Sequence, residues 1–244
     1  MKKGWKQQNM NDMELPYKIE NNTRIFDWQK TCHYLIHIGK LRYGQSFTLH
    51  KEDLKIIYRL VLYIIRDEEN CKQRNIDLNK GILLLGPVGC GKTSLMTLIQ
   101  ELAFSEFRYR VKPTRDIAFE FQKEGYDIIH RYGKSKHTIC LDDLGVERNI
   151  KFYGNECNTI REILLHRYDL LIHSGTITHA TTNLNAEELE QMYGNRVRSG
   201  LCEMSSVWYG KYRQKEVNFI PPQFVLTKHL SIDPKILLDL VFSL

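Results

Sequence analysis

Apolar residues recur along this chain in two patterns. Between Glu52 and Arg66, Ile57, Leu60, Val61 and Ile64 follow the spacing of one helix face, with Lys55, Arg59 and Arg66 off the stripe. That predicts a packing helix. Gly81-Ile82-Leu83-Leu84-Leu85 is instead a short continuous apolar run, the pattern of a strand buried on both faces. Beyond it the two types alternate: a helix over Ser94–Phe104, a strand over Phe107–Val111, and a helix over Asp116–Tyr132 interrupted by Gly125. His137–Leu141 reads as a second buried strand. Asn155 is read as the cap of a helix whose stripe is Cys157, Ile160, Leu164, Tyr168, Leu171 and Ile172. Thr176–Thr182 is β-branched and strand-like, and Asn185 opens a short helix with Glu188 at the capping-box spacing. Alternating strands and helices predict an α/β chain whose parallel sheet is covered by helices on both faces.

Composition agrees with a globular chain: 244 residues, 42% hydrophobic and 26% charged, which excludes wholesale disorder and collagen-like repeats. No apolar run approaches the ~18 residues of a membrane span, and Met1–Met13 is polar without an apolar signal core. A soluble, cytoplasmic protein with no membrane partner is expected. Six widely spaced cysteines form no C-x-x-C pair, which argues against a sulfur-ligated zinc site and against disulfides.

The net charge of +6 is unevenly spread: residues 1–80 hold 15 Lys/Arg against 10 Asp/Glu, whereas residues 81–204 hold 15 against 16. The first fifty residues also interleave aromatic and basic side chains, among them Trp5, Lys6, Tyr17, Arg24, Trp28, Lys30 and Tyr34. Rings that stack on bases beside cations that meet phosphates permit single-stranded DNA binding. The same residues permit a small helical cap docked on the main domain. Three regions follow: 1–50, basic and aromatic; 51–204, the core; and 205–244, a C-terminal extension. In that extension Asp233-Pro234 is read as starting a helix, apolar nearly all round from Ile236 to Leu244.

The chemistry begins after the first buried strand. Gly86-Pro87-Val88-Gly89-Cys90-Gly91-Lys92-Thr93, with Ser94 following, is a complete G-x-x-x-x-G-K-[ST] loop between a strand and a helix. Its glycines let backbone N–H groups face phosphate oxygens, Lys92 reaches the β- and γ-phosphates, and the Thr93 hydroxyl ligands Mg²⁺. ATP with Mg²⁺ is the expected cofactor pair. Fifty residues on, Thr138-Ile139-Cys140-Leu141-Asp142-Asp143 ends an apolar strand on two carboxylates. Side chains leave a strand alternately, so Asp142 can hold the Mg²⁺ shell while Asp143 orients or deprotonates the attacking water. Asn183, at the end of the strand Thr176–Thr182, can bridge that water and the γ-phosphate.

Taken together, the loop, Asp142-Asp143-Leu144-Gly145-Val146-Glu147, Thr181-Thr182-Asn183-Leu184 and Tyr193-Gly194-Asn195-Arg196-Val197-Arg198-Ser199 resemble the motifs of AAA+ ATPases of the DnaC/IstB type, bacterial helicase loaders and transposition helpers. The resemblance covers roughly residues 55–204. It implies a P-loop NTPase three-layer α/β/α fold with an ASCE-type parallel sheet and no room for a full C-terminal lid domain. It implies Asp143 as the catalytic acidic residue and Asn183 as sensor 1. It further implies a self-oligomer in which a neighbour's arginine completes the site, and partners that are DNA, a replicative helicase or a transposase.

One position departs from the pattern. The family's last motif reads Arg-x-x-Ser-Arg, its final arginine offered in trans; that place is Gly200 here. Arg196 lies four residues earlier, on the same helical face by spacing. Two readings follow: an ATPase in which Arg196 substitutes, or an ATP-locked adaptor that hydrolyses slowly. A P-loop small-molecule kinase is the third, disfavoured because Asp142-Asp143 and Asn183 suit water as the nucleophile.

Overall fold

The run Gly81–Leu85 forms a strand at the heart of the molecule, as its unbroken apolar character requires. The computed structural model describes residues 14–21, 23–147, 150–152, 155–209 and 226–229. In chain order these form β1 (Tyr17–Glu20), β2 (Thr23–Phe26), α1 (Trp28–Tyr43), α2 (Leu54–Ile64), α3 (Glu68–Gln73), β3 (Gly81–Leu85), α4 (Lys92–Ile99) and β4 (Arg110–Pro113). Then come α5 (Thr114–Glu124), α6 (Asp127–Gly133), β5 (Ile139–Leu144), β6 (Ile150–Phe152), β7 (Asn155–Cys157) and α7 (Thr159–Ser174). The remaining elements are β8 (Thr178–Thr182), α8 (Ala186–Tyr193), α9 (Asn195–Met204), β9 (Ser205–Tyr209) and β10 (Leu226–His229).

Five strands make one sheet in the order β4-β5-β8-β3-β9, every pair parallel. Its side chains alternate between two cores. Ile82, Leu84 and Cys140 face one cluster with Leu35, Leu60, Met96 and Trp208. Leu83, Leu141 and Ala180 face the other with Ile117, Ile128, Ile163 and Leu201. Helices α1, α2 and α4 thus cover one face and α5, α6, α7 and α9 the other, a three-layer α/β/α fold. Because β8 is inserted between β3 and β5, the C-terminal ends of all three open side by side on one edge.

The regions outside the motif-bearing core are stitched into it. Trp28 and Leu35 of α1 lie in the first core cluster, with the Trp28 ring edge-on to Tyr58 at 5.0 Å. Ser205–Tyr209, beyond residue 204, supplies the fifth strand by pairing with β3. Strand β10 pairs antiparallel with β2, so a segment of the C-terminal region closes a three-stranded sheet with the N-terminal hairpin. Trp5 and Lys6, and the helix read over Asp233–Leu244, lie outside the described residues.

Several element bounds differ from the sequence reading, each for a local or a pairing reason. The helix after the loop starts at Lys92 and ends at Ile99, followed by a 3₁₀ turn over Gln100–Leu102. Strand β4 occupies Arg110–Pro113 rather than Phe107–Val111, its extent set by pairing Arg110 opposite Ile139. Gly125, at φ +68°, ends α5 outright, so Asp116–Tyr132 is two helices. Strand β8 begins at Thr178, not Thr176. Asn155 does not cap α7: it belongs with Cys157 to β7, and Asn158 is the cap, its side chain accepting the Arg161 N–H at 3.0 Å. The buried face of α7 is Ile160, Ile163, Leu164 and Arg167, whereas Ile172 is 62% exposed.

Two buried polar residues hold the sheet. Arg167 is fully buried; its guanidinium donates to Thr178 Oγ1 at 2.7 Å and to the carbonyls of Ile177 at 2.8 Å, His137 at 3.2 Å, and Ser135. These bonds satisfy the backbone leading into β5 and β8, and burial pulls its pKa down to about 10. His179, in the middle of β8, accepts the Ile82 N–H on Nδ1 at 3.0 Å. It sits edge-on to Tyr109 and Tyr63 at 4.6 and 5.8 Å. Gly81 is required beside it, since a Cβ there would stand 1.8 Å from the Thr178 carbonyl oxygen. Among the described residues no helix is long and apolar enough to cross a membrane.

Candidate nucleotide site at the sheet edge

The loop leaves β3 and enters α4 through two left-handed glycines, Gly89 at φ +80° and Gly91 at φ +87°. Nothing lies within 4 Å of a Cβ built on either, so backbone conformation rather than space demands glycine. Gly91 occupies the N-cap of α4, leaving first-turn N–H groups facing out of the helix end. The Gly86 N–H bonds the Thr182 carbonyl at 3.2 Å, tying the loop's first residue to the end of β8. The Lys92 side chain is buried, its Nζ donating to the Gly86 and Pro87 carbonyls at 2.9 and 3.1 Å. Val88 stands 84% exposed at the rim.

The acids meet this loop. Thr93 Oγ1 donates to the Asp142 carboxylate, 3.0 Å from Oδ1 and 2.9 Å from Oδ2. Asp142 is buried and also accepts the Thr181 hydroxyl at 2.7 Å; burial pushes its carboxyl above the ordinary aspartate value. A hydroxyl and a buried carboxylate oriented toward each other are a hard-oxygen donor pair of the kind Mg²⁺ takes.

Asp143 lies at a break in the β5–β8 ladder, where the register shifts between Leu141 and Leu144. Its backbone is left-handed at φ +56° and pinned on both sides: its N–H bonds Thr181 Oγ1 at 2.9 Å, and its carbonyl accepts the Thr114 hydroxyl at 2.8 Å. The bulge re-aims the second acid away from simple alternation and leaves it half-exposed beside buried Asp142. Asn183 follows β8 directly and is exposed on the same edge.

Two threonines set the two acids: Thr181, which the sequence presents only as a member of Thr181-Thr182-Asn183-Leu184, and Thr114, which has no sequence signal of its own. Thr181 sits two residues before Asn183 in a β-branched strand, and its hydroxyl looks like ordinary strand propensity.

Beside the loop a cavity of about 320 Å³ opens between α4 and the segment before α2. Phe47, Leu49, Ile56 and Leu95 line it with His50 and Asp53, and it reaches Gly89–Lys92. A second cavity of about 370 Å³, lined by residues in and next to α6 and α7, shares no residue with the loop or the acids.

Among the described residues, no hydrogen bond or ion pair joins the arginines of α9 to this cluster. Arg196 is exposed, and Arg198 is engaged within its own chain by Glu190 at 2.9 Å. Gly200 does not share the exposed face of Arg196: it is buried, and a Cβ there would lie 3.5 Å from the Tyr168 ring on α7. Position 200 packs one helix on another in this chain.

No family model matches this sequence, and no curated protein matches it. Among solved structures the chain is similar to the DnaC helicase loader, at 21% identity over 65% of this chain and 88% of that one, with a TM-score of 0.46. It is similar to DnaI at 18% identity over 67% and 88%, with a TM-score of 0.47. It is also similar to AMPPCP-bound DnaA from Aquifex aeolicus at 17% identity over 68% and 48%, with a TM-score of 0.43. The fold is a three-layer α/β/α arrangement around a parallel sheet, with β8 inserted between the loop-bearing strand β3 and the acid-bearing strand β5.

Proposed function

We propose that the chain binds ATP with Mg²⁺ at this sheet edge and hydrolyses it, coupling nucleotide state to self-assembly on DNA or on a replicative helicase or transposase. The observation that carries the reading is the bond between Thr93 and Asp142, which joins the phosphate loop to the acid strand across 49 residues. In it, the backbone of Gly86–Ser94 cradles the phosphates, and Lys92 exchanges its two loop carbonyls for the β- and γ-phosphate oxygens. Thr93 and Asp142 would hold Mg²⁺, which supplies charge neutralisation across the β- and γ-phosphates. Asp143, presented by its bulge, orients and deprotonates the attacking water, and Asn183 holds that water against the γ-phosphate. The base fits the cavity walled by Phe47, Leu49 and Ile56, an apolar slot with polar groups at its rim. Arg196 is the exposed arginine offered to a neighbouring copy.

The packing of Gly200 favours a second reading, an ATP-locked adaptor in which hydrolysis is incidental. Steady-state hydrolysis against protein concentration, with and without single-stranded DNA and with Lys92→Ala as the blank, separates them. Turnover that climbs with concentration and DNA supports the coupled ATPase, and Arg196→Ala should then abolish the climb. Tight ATP binding with turnover at the blank supports the adaptor. A gain on Gly200→Arg would trace the slow rate to the missing arginine.

A further inference from the structure

The turn that follows the acids is clamped to a distant part of the chain. After Asp143 the backbone reverses through Gly145 at φ +100°, with the Val146 N–H bonding the Asp143 carbonyl at 3.3 Å. A Cβ on Gly145 would stand 2.3 Å from Leu184 Cδ1, so the turn is pressed against the segment after Asn183. Glu147 closes it from within: its Oε2 accepts the Gly145 N–H at 3.1 Å, and its Oε1 accepts the Tyr193 hydroxyl. Both side chains are buried, Glu147 at 7% and Tyr193 at 1% exposure. Burial, and then the neighbouring carboxylate, push the Tyr193 hydroxyl far above its usual pKa, so it stays a donor. Tyr193 is the last residue of α8, three before Arg196.

We propose that Glu147 is a positioning residue for hydrolysis: its carboxylate fixes the turn carrying Asp143 against the α8–α9 junction, and so sets the acid and Arg196 relative to each other. This rests on the ATPase reading above. A carboxylate buried only to fill space costs desolvation that an apolar side chain avoids. What the two oxygens add is direction, since each is committed to a donor from a different segment. One end of the clamp follows Asp143 by four residues, and the other precedes Arg196 by three.

The test compares Glu147→Ala, Glu147→Gln and Tyr193→Phe in the full chain, measuring turnover at saturating Mg-ATP, affinity for a fluorescent ATP analogue, and melting temperature. Glu147→Ala and Tyr193→Phe should lower turnover about tenfold or more while affinity moves no more than about twofold, because only the acid's aim is lost. Glu147→Gln can turn its amide to accept from Gly145 and meet Tyr193, and should recover most of the rate. Combined Glu147→Ala and Tyr193→Phe should be no slower than the slower single change, since both break one connection. The role is overturned if turnover is unchanged, if it only follows affinity or melting temperature, or if Gln is no better than Ala. Should Glu147→Ala fail to fold, Tyr193→Phe, which loses a single oxygen, decides. Wild-type turnover equal to that of Lys92→Ala would overturn the ATPase reading and this role with it. An active wild type with equally active variants would overturn the role of Glu147 alone.

Discussion

Thr93 and Asp142, 49 residues apart, meet through a hydroxyl that donates to both carboxylate oxygens at 3.0 and 2.9 Å. Removing the hydroxyl with the isosteric Thr93→Val should lower Mg²⁺-dependent ATP affinity about tenfold, near 1.4 kcal/mol. Binding measured in excess chelator should barely change. A nucleotide titration with and without Mg²⁺ checks this; equal losses in both would mean that Thr93 only shapes the loop.

Acid should weaken the fold through His179. Burial, with Arg167 and Arg66 nearby, lowers its pKa from 6.5 to about 3, so only the unfolded chain takes up this proton between those values. Its contribution is therefore fully present above about pH 6.5 and is lost as pH falls toward 3, by about 1.4 kcal/mol per pH unit for one proton. Asp142 acts in the opposite sense, because its carboxyl is raised in the fold and acid relieves the cost of burying its charge. Melting curves of the wild type and His179→Gln from pH 7.5 to 5 isolate the histidine. The variant's melting temperature should vary less with pH; parallel curves would remove His179 as the cause.

Arg167 should tolerate no replacement. Arg167→Leu leaves three carbonyls and the Thr178 hydroxyl without their donor, at a cost of about 3 kcal/mol or more. For a domain of this size that is a fall of roughly 6–12 °C in melting temperature. Arg167→Lys should recover little, since one ammonium cannot serve four acceptors spread around a planar fork. A lysine variant melting with the wild type would show that the bonds contribute little.

Gly200→Ala should stabilise the protein. The position is inside α9, and a Cβ there meets the Tyr168 ring at an ordinary 3.5 Å. Alanine relieves the helix cost of glycine, about 0.5–1 kcal/mol, which raises the melting temperature by about 1–4 °C. A fall instead would mean that α7 and α9 pack more tightly than this contact implies.

The parts of this protein legible in the sequence are those whose physics is local. Two glycines forced into left-handed backbone, a lysine and a threonine at the next helix start define the glycine-rich loop within eight residues. The apolar run ending in Asp142-Asp143 likewise carries its own burial pattern. Asn185 and Glu188 form the capping box their spacing implies, because all its partners lie within one turn. The stripe of α7 departs from the sequence pattern where residue type and position disagree: Arg167 falls on the buried face, but a charged residue reads as solvated until its four acceptors are in place. Asn155 is an asparagine just ahead of the apolar stripe and reads as a cap; only the pairing of β7 with β6 removes it from the helix and leaves Asn158 as the cap.

The chain by itself determined the glycine-rich loop and the paired acids as motifs, since each is a run of adjacent residues. Tertiary structure alone decided that β8 lies between β3 and β5, that residues beyond 204 complete the sheet, that Thr181 sets both acids, and that Glu147 reaches Tyr193. Each of these rests on a hydrogen bond between segments far apart in sequence. Such a bond forms only once both cores have brought its two ends together, so no window of the sequence contains it.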